Sequence, residues 1–435
     1  MELRKLVGAM NPVFDYQHAP RRVILAVDIK SYFASVECAI RGLDPFKTNL
    51  VVVSDLQQKG GVILAATPAM KKNYGINTTN RLFEVPNDPS VKIVEPHMQM
   101  YIDMNMKIQQ LFYHYTEKKF VHVYSIDEAF LDVTGSVRLY GGLANLVQAL
   151  QQEMYKQFRL YCTIGIGDNP LLAKLAMDNE AKHRESGIAY WNYENIPEKI
   201  WQIKRLTDFW GIGRRTALRL EKLGIYTIKS LAHASLTALK KEFGIIGEQL
   251  FYHANGLDYT RLDQAIQTLE KSYGGNQILM RDYHLQAEVE VVIAEMVDNV
   301  AERLRNHSAV GDFIRLSIGN SAHSTIKGFS RQMKLHTATN LTWQFQEAFL
   351  RLFRKYYEGD AVRSIGISIG GVTPESYHQL NLFASPEILE EKRRLDFTID
   401  QIRGRYGKQA IMRAVSYTAS GNGIIRNGKV GGHKK

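Results

Sequence analysis

Residues 123–135 read VYSIDEAFLDVTG, and two adjacent acids, Asp127 and Glu128, interrupt an otherwise strand-like run. Val121 and Val123 precede them; Ala129, Phe130, Leu131 and Val133 follow. Successive side chains of a strand point to opposite faces. A continuous strand would drive one of the two carboxylates into the core, where an unpaired charge costs more than a strand gains. The chain is therefore expected to turn at 125–128 and to hold both carboxylates at a hairpin tip. An isolated Asp-Glu pair is more often an exposed acidic turn. Here the apolar flanks place the pair at the end of a buried sheet, and two carboxylates held there need a cation. Hard divalent cations prefer oxygen ligands, so a third acid, distant in sequence, would complete such a site.

Asp28 is the candidate. The run VILAV at 23–27 is continuously apolar, which marks a strand buried on both faces. Asp28 ends it, and Tyr32, Phe33, Val36 and Ile40 follow at helical spacing. A lone strand-end Asp is usually structural. If its strand neighbours the 123–135 hairpin, three carboxylates meet at one sheet edge. That layout suits two Mg²⁺ ions, one lowering the pKa of an attacking hydroxyl and one holding a triphosphate.

Outward from these stretches, the order over 23–182 reads β, α, a mixed insert, α, β-hairpin, α, β, α. This suits a mixed sheet with helices on one face, a ferredoxin-like α+β palm. Residues 196–258 turn helical and compact. A separate α/β domain follows, with a helix at 291–307, after a plausible linker at 263–277. The chain has 435 residues, enough for two to four domains, and is 45% apolar and 23% charged, ordinary for a globular protein. Its longest apolar runs are strand-sized, which predicts no membrane span, and its first twenty residues carry no signal-peptide pattern. Cys38 and Cys162 make neither a disulfide framework nor a zinc site, so a reducing cytoplasm is the simplest compartment.

The net charge of +11 points to a polyanionic partner. Residues 401–435 hold eight Lys or Arg and no Asp or Glu, with many Gly, Ser and Asn, and read as a mobile basic tail.

The stretches VDIKSYFASVE at 27–37 and YSIDEAFLDVTG at 124–135, roughly one hundred residues apart, together resemble the paired catalytic motifs of Y-family DNA polymerases, the translesion class. The overall sequence is most similar to the bacterial UmuC-like branch. The resemblance implies a right-hand polymerase: an extension at 1–22, palm at 23–33 and 93–190, and small fingers at 34–92. A thumb would span 191–262, a linker 263–276 and an α/β little finger 277–372, with a clamp-binding peptide, helix and basic tail at 373–435. It implies that Asp28, Asp127, Glu128 and the backbone carbonyl of Ile29 bind two Mg²⁺, with Mn²⁺ able to substitute. Phe33 falls at the steric-gate position, where a flat ring would collide with a 2′-hydroxyl, and Tyr32 belongs to the same nucleotide-binding stretch. Lys30 stands where many members carry Asp or Asn, so no further carboxylate ligand is available there.

The triphosphate needs cations. ATPAMKKNYG at 66–75 resembles the fingers motif; aligned on Gly75, it puts Lys72 at the basic position and offers Thr67 as a hydroxyl, with Ala69 where many relatives have Tyr. AKLAMDNEAKH at 173–183 resembles the palm segment ending in a phosphate-binding lysine, here Lys182. An exposed lysine is the ordinary alternative for each.

WGIGRRTALRLEKLGI at 210–225 reads as a helix-hairpin-helix. Gly211 and Gly213 permit a tight turn, free N–H groups face a backbone phosphate, and Arg214 and Arg215 add charge without reading sequence. HQLNLFAS at 378–385 resembles the bacterial sliding-clamp-binding peptide. Leu382 and Phe383 would fill an apolar pocket, Gln379 would bond at its rim, and Leu380 completes the pattern; a small buried turn is the alternative.

These expectations describe a template-directed, error-prone translesion polymerase adding dNTPs to a primer-template, in damage tolerance and SOS-induced mutagenesis. No residues remain for a proofreading exonuclease. For some relatives an accessory subunit or recombinase filament is a further partner. The rivals are a nucleotidyl cyclase, which shares such a palm but needs no helix-hairpin-helix or clamp peptide, and a non-catalytic DNA-binding scaffold, against which the intact acids speak.

Overall fold

The computed structural model describes residues 14, 16–57, 60–264, 271–375 and 386–434. The chain divides into two compact units, Met1–Ala265 and Ile266–Lys435. Among the described residues no helix is long and apolar enough to cross a membrane. Both cysteines are buried free thiols.

The first unit opens with β1 (Ile24–Ile29) and α1 (Tyr32–Ile40). An inserted lobe follows: β2 (Asn49–Val53), β3 (Ile63–Ala66), α2 (Pro68–Tyr74) and β4 (Val91–Val94). The strands of this lobe form their own sheet in the order β3-β2-β4. The chain then returns through α3 (Met98–Phe112), β5 (Val121–Val123), β6 (Glu128–Asp132) and α4 (Leu143–Phe158). It ends the layer with β7 (Cys162–Gly167), α5 (Pro170–Asn179) and β8 (Ile188–Trp191). The main sheet runs β5-β6-β1-β7-β8. Its central strand is β1, antiparallel to both neighbours and buried along nearly its whole length, as its continuous apolar run requires.

Two glycines in β7 bring α5 onto this sheet. A Cβ at Gly165 would lie 2.1 Å from the Ala173 carbonyl oxygen, and one at Gly167 would lie 2.3 Å from the Ala173 nitrogen. Any side chain there would lift the helix away. The opposite side of α5, with Leu171, Leu172 and Leu175, packs into a helical core with Trp191, Phe209, Leu220 and Phe251.

That core belongs to α6 (Ile196–Lys199), α7 (Arg214–Lys222), α8 (Ile228–Ala232), α9 (Leu236–Phe243) and α10 (Ile245–Ala254). Part of the N-terminal extension is an integral element of it. Phe14 and Tyr16 pack against the core, Tyr16 stacks on Tyr193 at 5.4 Å, and its hydroxyl donates to the Asn255 carbonyl at 3.0 Å.

The second unit contains β9 (Tyr273–Tyr283), α11 (Gln286–Asn306), β10 (Ala309–Asn320), β11 (Phe329–Thr339), α12 (Thr342–Tyr356) and β12 (Val362–Gly370). Its antiparallel sheet runs β11-β10-β12-β9, with β13 (Thr373–Pro374) on β10, and its core joins the sheet to α11 and α12. β9 starts inside the stretch expected to be linker. Gly274 and Gly275 look like linker composition but pair with Ser368 and Ile367 of β12, where a Cβ on Gly274 would meet the Ile367 carbonyl oxygen at 2.7 Å.

The mobile basic tail is corrected by the structure. α13 (Pro386–Tyr406) runs into the supposed tail, and α14 (Gly423–Asn427) and a short hairpin follow it. Its cations meet acids of α11: Arg403 lies 2.7 Å from Asp298 and 3.4 Å from Glu302, and Arg413 lies 3.5 Å from Asp298. The backbone N–H groups of Asn422 and Gly423 both donate to Glu295 at 3.1 Å. Arg305 of α11, 1% exposed, reaches back to Asp400 at 2.6 Å and Asp396 at 3.4 Å. Local composition predicted solvation because the neutralising acids lie a hundred residues away in sequence.

Candidate active site

The hairpin forms as the alternation argument requires. β5 and β6 pair antiparallel with Val123 opposite Ala129, and the chain turns through 124–127. The N–H groups of Tyr124 and Ser125 both donate to the Glu128 carbonyl at 3.0 Å. Ser125 Oγ donates to Asp127 Oδ1 at 2.6 Å and accepts the Glu128 N–H at 3.1 Å. One hydroxyl thus holds both acidic residues of the turn. β6 lies beside β1 with Glu128 directly opposite Asp28, and the Ile29 N–H donates to the Asp127 carbonyl at 3.0 Å. Asp28, Asp127 and Glu128 therefore share one edge of the sheet.

Two lysines answer their charge. Lys182 Nζ lies 2.9 Å from Asp28 Oδ2, 3.8 Å from Glu128 Oε1 and 2.8 Å from Asp178 Oδ1. Lys174 Nζ sits 2.9 Å from both Glu128 oxygens and 3.1 Å from Asp178 Oδ2. Burial pushes the Asp28 carboxyl up to about 7; the Lys182 ammonium pulls it partly back, and the adjoining Glu128 carboxylate adds to the rise. Burial disfavours the Lys182 ammonium, but Asp28 and Asp178 more than offset this and raise its pKa. Lys174 and Asp178 were not singled out from sequence. The signal was present: Lys174, Asp178 and Lys182 recur every fourth residue, one face of α5 and of the short 3₁₀ turn Ala181–His183 after it.

The residues fit a hard divalent cation. The donors are all oxygen, and positive charge is gathered on them as ammonium groups. Among the described residues no three His, Cys, Asp or Glu side chains close into a cage. Asp28 and Glu128 lie close enough to raise the Asp28 pKa, and each holds a lysine.

A cleft of about 690 Å³ opens beside this edge, lined by Asp28, Asp127 and Lys182, by the start of α1, and by α2. Phe33 lines it with its ring stacked on Tyr101, centroids 4.5 Å apart. Tyr32 lines it too, but its hydroxyl donates to the Tyr101 carbonyl at 2.6 Å and the residue is 3% exposed. It offers the cleft backbone at the first turn of α1, where N–H groups lack intrahelical partners.

Thr67 is corrected. It is fully buried as the N-cap of α2. Its Oγ1 accepts the N–H groups of Met70 at 3.2 Å and Leu50 at 3.1 Å and donates to the Thr48 carbonyl at 2.7 Å. A hydroxyl has one donor and two acceptor sites, so nothing is left for a phosphate. Thr78, an exposed residue, lines the cleft where Thr67 does not. Lys72 lines the cleft, but so does Lys71, whose Nζ donates to Ser31 Oγ at 2.9 Å and lies within the electrostatic reach of Asp28. Aligning on Gly75 missed Lys71 because adjacent lysines are indistinguishable without the helix phase.

Farther along the chain, Gly211 adopts φ 94°, a conformation open to glycine, whereas Gly213 caps α7 at an ordinary φ of −83°. Arg214 and Arg215 begin α7, exposed and without an ion pair among the described residues. Gln379, Leu380, Leu382 and Phe383 lie outside the described residues.

The sequence matches the impB/mucB/samB family at residues 27–178 and that family's C-terminal domain at 270–382. It also matches the DNA polymerase-iota thumb domain at 207–258. It is 43% identical to the UV-damage repair relative UvrX of Bacillus subtilis (strain 168), over 97% of this chain and 100% of the relative. Similarity to "DNA polymerase IV 2" of the same organism is 36% identity over 95% and 99% of the two chains. A DNA polymerase IV of Moorella thermoacetica is 33% identical over 92% of this chain and 97% of its own. A solved Y-family DNA polymerase chimera superposes with a TM-score of 0.64 at 19% identity, covering 81% of this chain and 99% of that one, which supports the fold.

Proposed function

Because the chain belongs to the impB/mucB/samB family of Y-family translesion DNA polymerases, we propose that it extends a primer 3′ end at the cleft lined by Asp28 and Asp127, with Glu128 paired to Asp28 beside it. The protein is a DNA-directed DNA polymerase of a family that lacks proofreading and depends on divalent metal. The observation that best supports the proposed site is the pairing of Asp28 with Glu128, with Asp127 beside them on the cleft.

In the proposed mechanism the three carboxylates and the Ile29 carbonyl would hold two Mg²⁺, for which Mn²⁺ could substitute. When bound, the ions lower the pKa of the primer 3′-hydroxyl and offset charge on the departing pyrophosphate. Lys182, Lys71 and Lys72 bind the triphosphate, and the backbone at the start of α1 orients it. Phe33 lies under the sugar and excludes a 2′-hydroxyl. Palm at 23–33 and 93–190, fingers at 34–92, thumb at 191–262 and little finger from about 273 are the corresponding domains. An error-prone role in SOS-induced mutagenesis within the cytoplasm, with an accessory subunit or recombinase filament as further partner, completes the reading. Primer extension with single dNTPs and Mg²⁺ tests it: templated incorporation is expected, and cyclic nucleotide formation or no product with either metal would overturn it.

Arg214→Ala with Arg215→Ala should weaken binding to all primer-templates alike and flatten the salt dependence by up to about two counterions. The pair is exposed at the start of α7 beside the Gly211 turn. Titrations across salt on several sequences check this, and a loss confined to certain sequences would contradict a phosphate-only role.

Leu382→Ala with Phe383→Ala should leave synthesis on short primers unchanged but remove stimulation by a loaded sliding clamp. Two apolar anchors in such a peptide carry on the order of 2 kcal/mol each, and tethering raises the polymerase concentration at the primer end. Processivity on long primed DNA with clamp and loader is the measurement. Wild-type stimulation would show that the pentapeptide is not the tether, and failure without a clamp would mark the residues as folding determinants.

A further inference from the structure

α1 carries Phe33 and Glu37 one helical turn apart, so one face presents both a cleft-lining ring and a carboxylate. Glu37 is completely buried. Buried carboxylates at this depth are retained only when well bonded, and this one has three partners. The Tyr101 hydroxyl donates to it, Arg41 pairs with it, and His97 Nδ1 lies 2.8 Å away. Burial alone would raise the Glu37 pKa; the bonds from Tyr101, His97 and Arg41 outweigh it and keep the group below its ordinary value, a stable anion.

The anion fixes Tyr101 of α3. Tyr101 is fully buried, its hydroxyl is tied to Glu37, and its carbonyl accepts the Tyr32 hydroxyl at 2.6 Å. Against this immobilised ring lies Phe33, nearly parallel at 16° with centroids 4.5 Å apart. Phe33 also packs partly against the core of Ala34, Cys38 and Leu50. A ring can reject a hydroxyl by contact only if it cannot give way, so whatever backs it sets the strength of rejection.

We propose that Tyr101, locked by buried Glu37, is a positioning residue that holds the Phe33 ring at the cleft and so sets how strongly ribonucleotides are excluded. The inference rests on the reading of Phe33 as the sugar-discriminating residue. Tyr101 itself does not line the cleft and acts through Phe33. Tyr101→Phe keeps the stacked ring but frees it from Glu37. Tyr101→Leu removes the stack as well.

The test compares kcat/KM for a dNTP and the matching rNTP on one primer-template, using the full chain and its Phe33→Ala, Tyr101→Phe and Tyr101→Leu variants. The preference for dNTP is expected to fall about threefold in Tyr101→Phe and about tenfold in Tyr101→Leu, through faster rNTP use. Phe33→Ala should fall further. If Tyr101→Leu does not fold, Tyr101→Phe alone decides. Wild-type preference in the Tyr101 variants beside a relaxed Phe33→Ala overturns the positioning role and leaves the gate intact. Equal losses for both sugars, or a lowered melting temperature with no change in preference, also overturn it. An unchanged preference in Phe33→Ala removes the gate reading and this inference with it.

Discussion

Asp127→Ala and Glu128→Ala are each expected to lower nucleotide incorporation by at least about 10²–10³-fold while leaving primer-template affinity nearly unchanged. Both acids stand at the edge shared with Asp28, where the proposed divalent ions bind. Neither substitution should unfold the site. Loss of Glu128 leaves Lys174 paired with Asp178 at 3.1 Å, so no buried ammonium is orphaned. With Asp127 gone, Ser125 Oγ still accepts the Glu128 N–H and holds the turn. Single-turnover primer extension measures the loss, with anisotropy for DNA binding and melting temperature as controls. Extension near the wild-type rate in either variant would remove it from the catalytic centre. Weakened DNA binding of similar size would make these residues DNA ligands instead.

Phe33→Ala should lower the preference for dNTP over rNTP by on the order of 10²-fold. The ring lines the cleft beside Asp28 and Asp127, so a sugar seated there meets it directly. Exclusion by contact predicts a rise in rNTP efficiency with a smaller change for dNTP, because removing a clash helps only the nucleotide that clashed. Steady-state kinetics with both sugars provide the comparison. Unchanged discrimination would leave Phe33 as packing on Tyr101 and place the gate elsewhere.

Much of the site was legible because its motifs are local. The alternation broken by Asp127-Glu128 foretold the turn, and the apolar run ending at Asp28 foretold a central strand, both of which the backbone forms. In the structure Thr67, Pro68 and Gly75 bracket α2 as cap, first residue and left-handed stop. The same residue shows the limit of local reading. Thr67 looked like a phosphate ligand because a hydroxyl lies in the right motif, but capping α2 and bonding Thr48 engages it fully.

By itself the sequence determined the order of elements, the acids that would converge if strands paired, and the polymerase resemblance, since periodicity and motif spacing are properties of neighbouring residues. The tertiary structure decided which charges meet. It set Glu128 opposite Asp28 through strand register, and brought Lys174 to Glu128 because Gly165 and Gly167 let α5 lie against β7. It also turned an apparently solvated basic tail into a packed segment by aligning Arg403 and Arg413 with acids on α11. Such pairings depend on Coulomb energies between groups far apart along the chain, which become strong only when folding brings them within a few ångströms and removes intervening water.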